Sequence, residues 1–399
     1  MSAALDDVIV LDLTDSYFAA LSAAFLADFG AKVIRVERIA ATNEGPEERA
    51  WNYEADLIHR NKQSVALDCS TERGRELLCE MVARSDVLVT DWLNADLAVL
   101  DLDYQSVSKS NPGLIFARIS GFGPEGPDKD LPVIDELAAA RTGMMPIIQQ
   151  PGQPPVYTGA GKMHAAVMLG FGVVTALIHR QATGEGQEVD TSLFAANMYG
   201  ASLDLQAFLA INEDDPQRDR LLNPISRLDV SNPISGSLYP SADGRWVTLT
   251  MPDTDRWWPL LAPAVGIDVD DERFDSHEKR CVTNRLALIE ELEAGFQKHP
   301  GSHWRQLFSE QHMSADVIEQ FDFPADDPQV KVNRYILELD HPSHGNIKTL
   351  GFPIYMSESP ARLESLAPCV GQHTEKVLHE LLGYPEDAIY QLTAEGIIA

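Results

Sequence analysis

The sequence predicts an α/β protein built around a parallel sheet, with a smaller α+β region set into its second half. Three observations predict it. Two strand–helix–strand patterns follow one another near the start, and a further apolar strand ends in a glycine-containing turn. From about residue 226 the texture changes to a hairpin followed by helices rich in tryptophan and leucine.

The run VIVLDL is rich in β-branched residues, AALSAAFLADFG reads as an apolar helix stopped by Gly30, and KVIRVE at residues 32 to 37 reads as a second strand. A strand, a helix ended by glycine and another apolar strand require a parallel pair joined by a right-handed crossover. SVALDC (64 to 69) begins the second unit. An amphipathic helix follows in TERGRELLCEMVARS, where Leu77, Leu78, Met81 and Val82 share a face, and DVLVTDW closes the unit as a strand. GLIFARISGFG (113 to 123) adds one more strand.

Residues 161 to 180, GKMHAAVMLGFGVVTALIHR, form a long and nearly all-apolar helix, which implies burial in a core or at a subunit interface. Its small residues, Ala165, Ala166, Gly170 and Gly172, permit close approach of another helix. Lys162 and His164 at one end and His179 and Arg180 at the other leave an uncharged core of about 14 residues, short for a bilayer span. Beyond it, SGSLYPSADGRWVTLTM predicts a hairpin turning at Asp243-Gly244. Strand and turn signals return over residues 326 to 354, and the tail TEKVLHELLGYPEDAIYQLTAEGIIA is helical. The expected organisation is therefore a large domain from residues 1–225 and 331–399, with a small α+β domain at 226–330.

A length of 399 residues exceeds what one core usually supports, in keeping with two domains. A hydrophobic fraction of 44% with 23% charged residues argues against disorder and against a membrane protein. The net charge of −30 disfavours nucleic acid or an anionic bilayer as partner, because both demand a positive surface. A ligand with phosphates would need a locally basic pocket or the help of another subunit. Cys69, Cys79, Cys281 and Cys369 lie far apart with no C-x-x-C, so neither a disulfide framework nor a zinc site is indicated and no metal is expected. A reducing cytoplasm fits this, and the start MSAALDDVIVLDL lacks the pattern of a signal peptide.

Five blocks carry a resemblance: VIVLDLTDSYFAALSAAFLADFGAKVIRVER, NKQSVALDCSTERGRELLCEMVARSDVLVTDW, NPGLIFARISGFGPEGP, ALIHRQATGEGQEVDTSLF and PCVGQHTEKVLHELLGY. In this order, over essentially the whole chain, they resemble the class III (CaiB/BaiF) CoA-transferases. The resemblance implies a Rossmann-like large domain built from both chain ends, a smaller inserted domain, and two chains interlocked as an obligatory dimer. It also implies coenzyme A, carried as acyl-CoA, and a carboxylic acid as substrates. In the family's chemistry an aspartate attacks the thioester to form a mixed anhydride, becomes an enzyme–CoA thioester, and passes CoA to a new carboxylate, dividing one acyl exchange into easier steps.

That aspartate is missing from its expected position. Counting back from Thr183-Gly184-Glu185-Gly186-Gln187 places Lys162 there, and a one-residue slip places Gly161. An acyl-lysine would be an amide, too stable to return its acyl group to CoA. Other family positions differ too: Asp15 stands where a cation or polar residue is usual, and Phe18-Ala19-Ala20 replaces Ala-Gly-Pro. Asp91-Trp92 replaces Asn-Phe, Val99 stands where an arginine often follows, and Ile134 occupies the histidine position of the family's racemases.

The resemblance leaves Lys162, Asp135 and His164 as candidate catalytic residues, and Arg38, Arg60, Lys62, Asp91, Trp92, Ser120 and Gly121 as CoA-facing positions. The expected function is the non-nucleophilic subunit of a CoA-transferase, paired with an aspartate-containing paralogue in a heterodimer; a homodimer is the other assembly. The alternatives are an acyl-CoA isomerase or racemase, lyase or hydrolase using Lys162, His164 and Asp135, or a non-enzymatic CoA-binding scaffold. Trp257, Trp258 and Trp304 hint at an apolar acyl pocket, with structural burial as the competing reading.

Overall fold

The structure, a computed structural model, describes residues 3–39, 52–147, 152–215, 218, 222, 226 and 228–399. The chain forms two compact units, one of Met1–Met145, Tyr157–Ala210 and Lys331–Ala399, the other of Pro146–Val156 and Ile211–Val330. The expected boundary at residues 225 and 226 falls partly outside the described residues.

In the first unit six strands pair in parallel: β1 (Ile9–Leu13), β2 (Lys32–Arg38), β3 (Lys62–Leu67), β4 (Val87–Thr90), β5 (Ile115–Ser120) and β6 (Gln187–Ser192). Their order is β3-β2-β1-β4-β5-β6, a doubly wound, Rossmann-like arrangement. Alternation within β1 shows why both faces must be covered. Val10 joins a core with Val33, Val87, Ile115 and Leu169 on one face, while Leu11 joins Ile34, Val65, Leu77 and Met81 on the other. The strands therefore read as mainly apolar runs, interrupted by residues such as Asp12, Arg35, Ser64 and Arg118. β6 is the exception, because as an edge strand it carries Gln187, Glu188 and Asp190.

Helix α1 (Tyr17–Asp28) connects β1 to β2, and its end is forced by Gly30, whose φ is 101°. A Cβ there would also lie 2.3 Å from that of Ala3, so only glycine fits. The short α2 (Tyr53–Ile58) precedes β3. After β3, α3 (Glu72–Ala83) is capped by Thr71, whose hydroxyl accepts the Gly74 amide at 3.0 Å. Between β4 and β5 lie α4 (Asn94–Val99) and α5 (Tyr104–Ser110). The crossover from β5 to β6 holds α6 (Asp135–Ala140), α7 (Met144–Ile147) and the 24-residue α8 (Ala160–Thr183). α9 (Leu193–Gly200) and α10 (Ser202–Ala210) follow β6.

α8 is long and apolar enough to cross a membrane by length and composition, but it packs on the sheet. Ala165, Ala166, Leu169, Val173 and Ala176 are buried against the core. The opposite face is open: Val167, Phe171, Val174 and Ile178, spaced as one stripe, are exposed. Only one face of the helix is thus buried among the described residues.

The hairpin of β10 (Ile336–His341) and β11 (Gly345–Leu350) and the C-terminal helices complete this unit. Its last residues return to the outer edge of β3. Ile398 bridges Leu67 in antiparallel fashion, Asp68 donates to the Ile397 carbonyl at 2.9 Å, and Thr374 Oγ1 donates to the Ala399 carbonyl at 2.7 Å.

The second unit contains the expected hairpin, β7 (Ser235–Pro240) and β8 (Trp246–Thr250), turning where Gly244 has a φ of 79°, and a third antiparallel strand, β9 (Ala315–Ile318). Helices Thr254–Val265, Arg285–Phe296 and Gly301–Glu310 lie with it. Trp258 and Trp304 are buried in its core with Phe274 and Phe296, and Trp304 Nε1 donates to the carbonyls of Phe296 and His299, both at 3.0 Å. These two tryptophans are core residues, not walls of an acyl pocket; Trp257 packs half-buried at the edge of the same cluster.

Candidate functional site

In a doubly wound sheet, connections leave in opposite directions on either side of the point where strand order reverses, and a crevice opens outside the carboxyl ends there. Here that point lies between β1 and β4. A cleft of about 760 Å³ occupies it, lined among others by Asp15, Ser16, Arg38, Asp91, Trp92, Val99 and Pro132. Residues following four different strands therefore converge on one space.

Asp91 builds its wall. The carboxylate accepts the amides of Asp15 at 2.9 Å and Ser16 at 2.8 Å, fixing the loop that opens α1. It is a structural acceptor rather than a free ligand group. Trp92 is buried beside it, and the Arg38 guanidinium lies 4.3 Å from the centroid of the indole. Arg38 is half-exposed and 3.7 Å from Asp15.

Burial pushes the Asp91 carboxyl above the ordinary aspartate value, against the opposing pull of Ser16 and the Asp15 amide. Asp28 and Asp190 are raised with burial again as the first cause. The folded protein therefore holds protons that the unfolded chain has already released once the pH passes about 3.9. With more protons on the folded state, stability falls as pH rises through the raised values. Urea unfolding at pH 4 and pH 7 should show a smaller fall in Asp91→Asn than in the natural protein; an equal fall would remove Asp91 from this account.

Four of the positions expected to face CoA lie inside the fold instead. Arg60 forms a two-pronged pair with Asp28, at 2.9 and 2.7 Å, and donates to the Leu350 carbonyl at 2.6 Å. Lys62 donates to Asp12 at 2.7 Å and to the Ala20 carbonyl at 2.8 Å, with both side chains of the pair 0% exposed. Ser120 donates to Asp190 at 2.9 Å and accepts the Gly123 amide. Gly121 is buried where a Cβ would lie 2.7 Å from the Pro132 carbonyl oxygen. The reason is electrostatic for the two cations, since a buried cation needs a buried anion and both have one. For Ser120 and Gly121 it is close backbone packing. Within this chain, all four are therefore engaged by the fold itself.

A second cluster surrounds the start of α8. Asp135, buried at the start of α6, accepts from the Tyr157 hydroxyl at 2.6 Å and from Asn197 Nδ2 at 2.7 Å. Gly161 makes room for Asn197, because a Cβ there would lie 2.0 Å from Nδ2. Lys162 is half-buried, its Nζ 5.1 Å from the centroid of Tyr17. Its pKa is raised, first by a hydrogen bond with the Tyr17 hydroxyl and further by the nearby Asp135 and Glu136, against a smaller desolvation penalty. Tyr157 is also pushed up, by burial and then by its bond to Asp135. Lys162 and Asp135 are thus brought together. His164 is exposed, and its ring lies over Gly200 of α9.

Tyr17, Tyr157 and Asn197 escape the sequence reading. Tyr17 had a usable signal, since it stands just beyond the carboxyl end of β1, where crevice residues arise. Asn197 had none, because its partner Asp135 is 62 residues away.

With this geometry in place, the comparisons are informative. A family model described as CoA-transferase family III matches residues 5–374. The chain belongs to CoA-transferase family III. This family III chain is 30% identical over 396 residues to the cinnamoyl-CoA:phenyllactate CoA-transferase of Clostridium sporogenes, covering 96% of this chain and 94% of that one. It is 27% identical over 398 residues to the (R)-2-hydroxy-4-methylpentanoate CoA-transferase of Clostridioides difficile, covering 96% and 97%. A CaiB/BaiF family protein from Brucella suis superposes with a TM-score of 0.81 at 26% identity, covering 96% of this chain and all of that one. Family III proteins act on acyl-CoA and carboxylates, so the cleft and the α8 cluster of this family III chain are weighed against that chemistry.

Proposed function

We propose that this chain is a subunit of an acyl-CoA:carboxylate CoA-transferase that binds acyl-CoA at the sheet's switch point and leaves the covalent chemistry to an aspartate-containing paralogue. The observation that carries the reading is Lys162. At the position where the resemblance puts the nucleophilic aspartate, this chain holds a cation whose pKa is raised by Tyr17, Asp135 and Glu136. A lysine that attacks a carbonyl or removes a proton needs the opposite environment, one that depresses its pKa. Lysine chemistry by Lys162, as an isomerase, lyase or hydrolase would use it, is disfavoured on the same ground. Asp135, with its oxygens taken by Tyr157 and Asn197, is likewise a poor nucleophile and serves to hold the cluster.

The larger cleft supports dependence on a partner. Among the described residues its lining includes one cation, Arg38, against Asp15, Asp91 and Asp96. CoA phosphates would need positive charge from elsewhere, and a second subunit is the natural source. The exposed stripe Val167, Phe171, Val174 and Ile178 on α8 supports an interlocked dimer in which that face is covered. All four cysteines are free thiols, in keeping with a cytoplasmic setting.

The test is CoA exchange between an acyl-CoA and a carboxylic acid. The purified chain alone should show none, and co-expression with an aspartate-containing paralogue should restore it. Exchange by the isolated homodimer would sink the reading.

A further inference from the structure

An ammonium carries three N–H donors and no acceptor. At the start of α8 one N–H of Lys162 goes to the Tyr17 oxygen, and among the described residues no carboxylate forms an ion pair with the others. The side chain folds back over the first turn of its helix. A Cβ at Gly159 would lie 3.3 Å from Lys162 Cε and 3.7 Å from both Lys162 Nζ and the Tyr157 hydroxyl, while Nζ is 5.1 Å from the Tyr17 ring centroid. The ammonium and the two phenols therefore share one half-buried place.

The two phenols differ in the donors they have left. Tyr157 commits its proton to Asp135 at 2.6 Å. Tyr17 accepts from Lys162, so its own O–H is left to donate. Two donors, one of them charged, thus stand side by side, an arrangement that suits a carbonyl oxygen with its two lone pairs. A further full negative charge would suit the place less well, because Asp135 and Glu136 already act on Lys162 and would repel a carboxylate or a phosphate. A neutral oxygen meets no such repulsion.

This place adjoins the larger cleft. Tyr17 follows Ser16, which lines that cleft, and the space that Tyr17 lines shares Asp15 and Ser16 with it. Val133, two residues before Asp135, lines the larger cleft as well.

We infer that Lys162 and Tyr17 bind the thioester carbonyl oxygen of an acyl-CoA whose CoA part lies in the larger cleft. Lys162 then recognises the acyl group as a lasting donor, a role in which its charge is kept and its nitrogen never attacks. The inference rests on the reading of the larger cleft as the CoA site.

Calorimetric titration of the full chain with CoA, butyryl-CoA and the thioether S-butyl-CoA tests it, because the last two have equal chain length and differ in a carbonyl against a methylene. Butyryl-CoA should bind about tenfold more tightly than S-butyl-CoA, the scale of a hydrogen bond from a charged donor. Lys162→Met should make the two affinities equal. The infrared carbonyl stretch of butyryl-CoA carrying a carbon-13 label at the carbonyl should move to lower frequency on binding to the natural chain, and less so in the variant. Equal affinities in the natural chain, an unshifted stretch, or a preference that survives Lys162→Met would overturn the inference while leaving the CoA site standing. Loss of CoA binding in the variant would make Lys162 a structural residue and overturn it too. If CoA does not bind the natural chain, the assignment of the larger cleft fails and takes this inference with it.

Discussion

Replacing Lys62 with methionine should destabilise the protein by about 3–5 kcal/mol, the cost of leaving one member of a buried ion pair without its partner. Asp12 would be left without its cation at 0% side-chain exposure, with the Thr14 hydroxyl at 2.6 Å and the Thr14 amide at 3.2 Å as donors. The Ala20 carbonyl in α1 would lose its bond as well. Urea unfolding measures this directly, as a lower midpoint at unchanged slope. Adding Asp12→Asn should recover much of the loss, because the amide removes the stranded charge and still accepts from Thr14. A loss below about 1 kcal/mol in the single variant would mean that water reaches the pair.

Arg38→Gln should weaken CoA binding by at least tenfold while changing stability by no more than about 0.5 kcal/mol, the usual range for an exposed side chain. Arg38 is half-exposed, stacked on Trp92, 3.7 Å from Asp15, and lines the larger cleft. Losing a hydrogen bond from a charged donor costs about 1.5–3 kcal/mol, which sets the tenfold floor. Calorimetry with CoA, alongside the unfolding curve, separates the two effects. CoA affinity equal to that of the natural chain would remove Arg38, and with it the larger cleft, from the binding site.

Arg38, Arg60 and Lys62 show how far a sequence can be read. All three are cations near the carboxyl or amino ends of early strands, and their local sequence does not separate them. What separates them is the company they keep in space. Lys62 meets Asp12 across 50 positions, Arg60 meets Asp28 across 32, and no periodicity reports such pairs. Local pattern did predict β1 to β5, since strands covered on both faces are mainly apolar and β-branched. It did not predict β6, whose edge position allows the polar run QEVDTS. The α8 helix was legible, but its one-sided burial was not, because both of its faces are apolar and only the fold decides which one meets the sheet. Lys162 stood out by resemblance alone; its raised pKa depends on Tyr17, which approaches from the far end of the first unit's sequence.

The strap that Ile397, Ile398 and Ala399 lay along β3 has a colloidal consequence. A sheet with two open edges offers two rows of unpaired amides and carbonyls to any neighbouring chain. The edge at β6 is guarded by the exposed Glu188, a repulsion that weakens as salt screens it or acid neutralises it. The edge at β3 is guarded by hydrogen bonds already made, to Ala66, Leu67 and Asp68, which salt does not screen. Resistance to strand-wise aggregation is therefore divided between one guard that depends on solution conditions and one that depends on the last turn of the chain staying in place.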